Sequence, residues 1–349
     1  MSLTFTLLER DLIPDPLIRL GIRQRCARVL REEGASDNAA AREARKQRLI
    51  DVLRAGPLAI ATDEANEQHY ELPTSFFQHV LGRHLKYSSA YWPEGVDDLD
   101  AAERAMLDLY FERAQLADGQ RILELGCGWG SMTLAMAERL PQASITGVSN
   151  SATQRTHILA EAEARGLSNV EIITCDMNDL GVSQPLDGTF DRVVSIEMFE
   201  HMRNYRTLFE RISGWLADDG RLFVHIFCHK DIAYPFEVRD ENDWMARYFF
   251  TGGMMPSADL LPRMADAMEI EERWMVNGAH YQKTAEAWLA NMDAQRAVVM
   301  PILEGTYGSV ERRRWWVYWR VFFLACAELF GFRSGEEWQV AHYRFRRRA

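Results

Sequence analysis

From Gln120 onward the chain alternates short apolar runs with amphipathic stretches of helical period, and no other feature narrows its fold as much. RILELG, ASITGVS, VEIITCD, DRVVSIE and RLFVHIF read as five strands. SMTLAMAERLP and ATQRTHILAEAEARG, between the first three, read as helices. Strands alternating with helices predict an α/β domain, a parallel sheet with helices on both faces. Beyond Lys230 the helical segments lengthen and become aromatic, and EERWMVNG and EWQVAHYRFRR add two strand candidates. Upstream, DPLIRLGIRQRCARVLREEG stops at Gly34 and AAREARKQRLIDVLRAGP at Gly56-Pro57, both with helical spacing.

The first strand opens into LELGCGWGS, Leu123 to Ser131. Gly126, Gly128 and Gly130 let the chain turn sharply and let a ligand approach the backbone. The loop lacks the Lys and Ser/Thr of a phosphate-cradling loop. Glu124, just before the glycines, would repel a pyrophosphate and suits the ammonium of S-adenosylmethionine. GVSNS ends the second strand and offers Ser149 and Asn150 to ribose hydroxyls, and Asp176-Met177 after the third strand suits an adenine edge and face. A bare βα turn with no ligand is the competing reading.

The fourth strand ends in SIEMFEHMRNY, Ser195 to Tyr205, which puts Glu197, Glu200 and His201 within five residues. If a helix begins at Phe199, the two carboxylates lie one turn apart beside the imidazole. As exposed charges they would only favour the first turn of MFEHMRNYRTLFERI through the helix dipole. At the end of a strand in a doubly wound sheet, however, they stand where ligands bind.

The formal net charge of -11 argues against a polyanionic partner such as nucleic acid. No (N/D)PP(Y/F) motif follows the fourth strand, where the chain reads EMFE. The most membrane-like run, Trp315 to Phe332, is interrupted by Arg320 and Glu328 and falls short of the roughly 20 clean apolar residues a span requires. Five scattered cysteines with no CxxC pair fit neither a zinc site nor a disulfide framework. The expectation is a cytoplasmic protein with no metal and no stable membrane association.

ELGCGWGS, GVSNSATQ, SIEMFEHMRNY and LFVHIFCHK together resemble the superfamily of cyclopropane-fatty-acid synthases. HYELPTSFF, LKYSSAYWP, RYFFTGGMMPSADLL, WMVNGAHYQKTAEAWL, TYG and VYWRVFFLACAELFGFRSGEEWQVAHYRF bring the resemblance closest to the coclaurine N-methyltransferase group. It covers about Asn66 to Phe345. It implies a class I, Rossmann-like methyltransferase fold, S-adenosylmethionine as donor with S-adenosylhomocysteine as product, and a small amine as acceptor. Carried over by position, Tyr87, Ser88, Glu124, Gly126, Gly128, Asn150, Gln154, Asp176 and Met177 would bind the donor. Glu197, Glu200 and His201 would be catalytic, and Tyr70, Phe250, Tyr281, Trp319 and Phe322 would line the acceptor pocket. Cyclopropane synthases hold a bicarbonate with a Cys, a Glu, a His and a Tyr; the matching positions are Ser89, Glu200, His225 and Tyr281, so the cysteine is absent.

On this reading residues 1–100 form a helical extension covering the active site. Residues 101–349 form the methyltransferase domain, with acceptor-pocket insertions at about 230–270 and 282–332. A homodimer is compatible with all of this. A secondary amine is mostly protonated at neutral pH, so a proton must leave before or during attack; the acidic cluster would hold the cation and take its proton. The alternative is a lipid-modifying enzyme that methylates or cyclopropanates an acyl chain.

Overall fold

The computed structural model describes residues 3–60, 72–186, 188–238 and 244–348, so Tyr70 lies outside the described residues. Seven strands form one sheet: β1 (Arg121–Leu125), β2 (Ser144–Ser149), β3 (Val170–Thr174), β4 (Phe190–Ile196), β5 (Leu216–His229), β8 (Met268–Val276) and β9 (Trp338–Arg347). Their order is β3-β2-β1-β4-β5-β9-β8. Neighbouring strands from β3 through β5 are parallel, while β9 runs antiparallel to both β5 and β8. All the predicted strands are present, and β5 is longer than expected, starting ahead of Asp218-Asp219-Gly220. The order reverses between β1 and β4, which opens a crevice at the carboxyl ends of these strands. β6 (Tyr234–Pro235) and β7 (Met254–Met255) pair as a small separate ladder.

The N-terminal segment is helical, with Leu3–Glu9, Asp15–Glu32, Ala39–Ala55 and Thr74–Val80. Charge pairs tie it to the C-terminal helices Ala279–Ala294 and Arg296–Phe330. Arg19 meets Glu286 at 2.5 Å and Glu328 at 2.9 Å, and Arg320 meets Asp15 at 2.8 Å. The two charges that interrupt the apolar run from Trp315 are therefore docking points for the N-terminal helices. Among the described residues no helix is long and apolar enough to cross a membrane. The five cysteines are free thiols.

One local expectation fails. No α-helix starts at Phe199. Glu197 adopts a left-handed backbone with φ +49, Phe199–His201 make a single tight turn, and the helix begins at Tyr205. Asn204 caps that helix, its side chain accepting from Thr207 N at 3.1 Å. Glu197 and Glu200 are thus neither a helical i, i+3 pair nor exposed charges at a helix start. A non-glycine residue at positive φ is uncommon and strained, and here it stands at the crevice.

Candidate active site

The glycine loop is fixed by backbone bonds from Gly126 N and Cys127 N to Val148 O, at 3.0 and 2.9 Å. All three glycines have positive φ, but their surroundings differ. A Cβ on Gly126 would strike Met198 and one on Gly130 would strike Ile158, so these two allow close packing. A Cβ on Gly128 would meet nothing within 4 Å, because Gly128 faces open space.

That space consists of two adjoining cavities. One is lined by Asn150, Asp176, Met177, Met198 and His201, the other by Lys86, Tyr87, Ser88 and Glu124; both are lined by Gly126, Gly128, Gln154 and Glu197. Every expected donor-binding position therefore borders one continuous region at the ends of β1 to β4. Glu124 is buried and accepts from the Thr133 hydroxyl at 2.5 Å. Burial pushes its carboxyl up to about 8, and the Thr133 bond only partly offsets this. Gln154 accepts from the Ser149 hydroxyl at 2.6 Å, while its buried Nε2 has no partner. A glycine facing open space, a buried carboxylate and an uncommitted amide donor fit S-adenosylmethionine, whose ammonium and hydroxyls need such partners.

At the β4 end, Glu197 is the centre of a buried network. Its Oε1 accepts from Ser89 N at 2.9 Å and from His225 Nε2 at 2.9 Å, and its Oε2 accepts from the Tyr281 hydroxyl at 2.7 Å. Lys86, fully buried, donates to Ser88 Oγ at 2.5 Å and to Ser89 O at 2.7 Å, and its charge faces Glu197. Burial pulls the Lys86 ammonium down to about 8. Burial also raises Glu197, while Lys86, Ser89 and Tyr281 hold it down. Glu200 points elsewhere: its Oε1 accepts from Phe227 N at 2.7 Å and its buried Oε2 has no partner. Burial, then the charge on Glu197, pushes Glu200 well above the carboxylate range. Of this coupled pair, Glu197 carries the charge and Glu200 the proton, because three donors and a cation face Glu197.

The positions expected to hold an anion do converge, but in a different arrangement. His225 and Tyr281 donate to the chain's own Glu197, and Ser89 contributes its backbone N–H while its hydroxyl turns to Ala90 O at 3.1 Å. Glu200 is bonded to β5, outside this set.

His201 lies on the cavity wall, half-buried, its ring stacked on Phe250 at 5.9 Å and 13°. Burial pulls its imidazole down to about 4 and the Glu197 charge raises it, so at neutral pH it is unprotonated. The aromatic positions form one cluster with these groups. Phe250 neighbours Phe322 at 6.2 Å, and Phe322 neighbours Trp319 at 5.7 Å. Tyr281 stacks on Phe330 at 4.2 Å. Trp319 is fully buried against Phe76 and Phe249, and its indole N–H has no partner. Lys86, Tyr110, Thr133 and Phe249 were not singled out in the sequence. LKYSSAYWP and RYFFTGGMMPSADLL, quoted for the resemblance, contain Lys86 and Phe249.

A family model described as "Mycolic acid cyclopropane synthetase" matches residues 59–340. The (S)-coclaurine N-methyltransferase of Thalictrum flavum subsp. glaucum is 36% identical over 345 residues, covering 98% of this chain and 94% of its own length. The solved coclaurine N-methyltransferase bound to N-methylheliamine and S-adenosylhomocysteine superposes with a TM-score of 0.94 at 37% identity, covering 99% of each chain. A cyclopropane synthase from Mycobacterium tuberculosis shares the fold, with a TM-score of 0.69 at 20% identity over 83% of this chain and 99% of that one. The sheet and these likenesses agree: the chain belongs to the mycolic acid cyclopropane synthetase family and is an S-adenosylmethionine-dependent methyltransferase, similar throughout its length to coclaurine N-methyltransferases.

Proposed function

We propose that the enzyme methylates the nitrogen of a small aromatic or alkaloid-like amine. The observation that carries this reading is the buried, charged Glu197 beside a neutral His201 at the junction of the donor cavities, with aromatic rings behind both. The similarity to coclaurine N-methyltransferases, one of them solved with N-methylheliamine, supports the acceptor class. In this reading Tyr87, Ser88, Glu124, Gly126, Gly128, Asn150, Gln154, Asp176 and Met177 hold the donor. When bound, the donor supplies a sulfonium methyl open to in-line displacement. Glu197 draws in the amine cation, and His201 takes its proton as nitrogen attacks the methyl carbon; the C–S electron pair stays on sulfur. Glu197, next to His201, then stabilises the imidazolium. Phe250 and Tyr281 stand next to His201 and Glu197 and offer faces to a cation and to a flat substrate, while Trp319 and Phe322, buried behind Phe250, support that wall. Holding nitrogen, methyl and sulfur in line supplies much of the rate.

The described helices within residues 1–100, and the described parts of the segments at about 230–270 and 282–332, close this pocket. Free thiols suit the reducing environment of the cytoplasm, where we place the enzyme. The filled Ser89–His225–Tyr281 set speaks against a lipid route that needs an added anion there. A panel of amines with labelled donor, run beside phospholipid vesicles, separates the two. Methylated amine with unmodified lipid is expected; modified lipid with no turnover on any amine overturns the proposal.

A further inference from the structure

Behind Glu197 a second layer of buried polar groups runs away from the cavity. His225 Nδ1 lies 2.8 Å from the Tyr110 hydroxyl and 2.9 Å from His342 Nε2, and His342 Nδ1 lies 2.7 Å from Arg113 Nη1. Both histidines are fully buried, and the β5–β9 register sets them directly opposite each other. Arg113, the last residue of the Leu99–Arg113 helix, is half-buried, with its guanidinium over the Trp274 ring.

Hydrogen-bond chemistry fixes the direction of this chain. A guanidinium has donors only, so His342 Nδ1 must be a bare acceptor. A neutral imidazole then carries its hydrogen on Nε2, which donates to His225 Nδ1. His225 in turn must carry its hydrogen on Nε2, aimed at Glu197 Oε1. Tyr110 shares the same lone pair on His225 Nδ1 as a second donor. We propose that Arg113 and His342 are positioning residues that lock His225 in the Nε2–H tautomer and so keep Glu197 ionised and oriented toward the amine. The groups facing this chain are Lys86, Ser88 and Glu124 near Tyr110, and Lys86, Glu200, His201, Tyr281 and Cys326 around Glu197. Burial holds both imidazoles well below the usual histidine value, which keeps them neutral. Without Arg113 or His342, His225 can move its hydrogen to Nδ1 and turn a lone pair on Glu197, which would then take up a proton.

The proposal rests on the amine-site reading, and its test separates the two. NMR of the imidazole nitrogens in the enzyme without substrate should show both His225 and His342 as neutral Nε2–H tautomers at neutral pH, with His225 losing that state in Arg113→Met and His342→Phe. In the same variants kcat/KM for the amine should fall about 10- to 100-fold, the size found when a metal-bound histidine loses its orienting partner. The acid limb of the pH profile should move to higher pH, and affinity for S-adenosylhomocysteine should stay the same. His342 found as a cation or as the Nδ1–H tautomer overturns the relay, and so do unchanged pH profiles in both variants. A wild-type enzyme that shows the predicted tautomers but turns over no amine overturns the functional reading alone. Because Arg113 is half-buried, its variant keeps the test decisive if His342→Phe does not fold.

Discussion

The crevice holds one carboxyl at each end, Glu124 and Glu197, and the protein treats them in opposite ways. Glu124, at the donor end, has the Thr133 hydroxyl as its bonded partner, and burial leaves its carboxyl at about 8. Glu197, at the acceptor end, accepts from Ser89, His225 and Tyr281 and faces Lys86. Burying a carboxylate is costly unless it is paired or hydrogen-bonded. The donor end leaves that requirement for a cationic ligand to meet, whereas the acceptor end meets it with the protein's own groups. In the proposed reading Glu124 is a group that binds the donor, and Glu197 is a wall whose charge the protein itself supports.

The contrast is sharpest in turnover. Glu197→Ala removes the charge that faces the amine, and kcat should fall by about 100- to 10,000-fold with S-adenosylhomocysteine affinity nearly intact. Steady-state kinetics and calorimetry on the same variant check both halves; a parallel loss of product affinity would merge the two ends into one site. Next in size, Gly128→Val fills the open space of the donor end. Affinity for S-adenosylhomocysteine should drop by about 100-fold or more, roughly 3 kcal/mol. The residue's φ of +52 adds a stability loss of about 1–2 kcal/mol, visible as a lower Tm. Unchanged affinity in a folded Gly128→Val protein would remove the donor from this loop.

Glu124→Gln tests the unmet desolvation directly. The folded-state value is raised, so the wild-type contribution to stability is complete below about 4.5 and is lost as pH rises through about 8. The variant should match the wild type in acid and exceed it above pH 8 by on the order of a few kcal/mol, while binding the donor product less well. Thermal unfolding across pH reads this; equal curves would mean that Glu124 is already satisfied. The smallest effect is an absence of change. Because Glu197 fills the Ser89–His225–Tyr281 set, removing bicarbonate should leave amine turnover as it was, and a clear bicarbonate dependence would mean Glu197 can be displaced from that set.

The two ends also differ in how much of them could be read from the sequence. The donor end follows the chain locally: strand, glycines at fixed spacing, helix, then the ends of the next two strands, so Glu124, Gly128 and Asp176 could be placed from pattern alone. The acceptor end is assembled by hydrogen bonds that span 28 to 117 residues of chain. Nothing local reveals that His342 faces His225, because that depends on β9 inserting antiparallel beside β5. Lys86 is hard to single out because lysines are rarely buried fully, and this one is 2% exposed. The sequence makes Glu197 a helix neighbour of Glu200 because glutamate seldom takes a positive φ, and the φ of +49 at Glu197 breaks that spacing.

If the acceptor end takes a proton from the amine, the pH dependence of kcat/KM for one secondary amine in His201→Ala will show it. The expected result is a large loss at neutral pH that shrinks as pH rises and more amine arrives already deprotonated. A loss of the same size at every pH, or none at all, would contradict it.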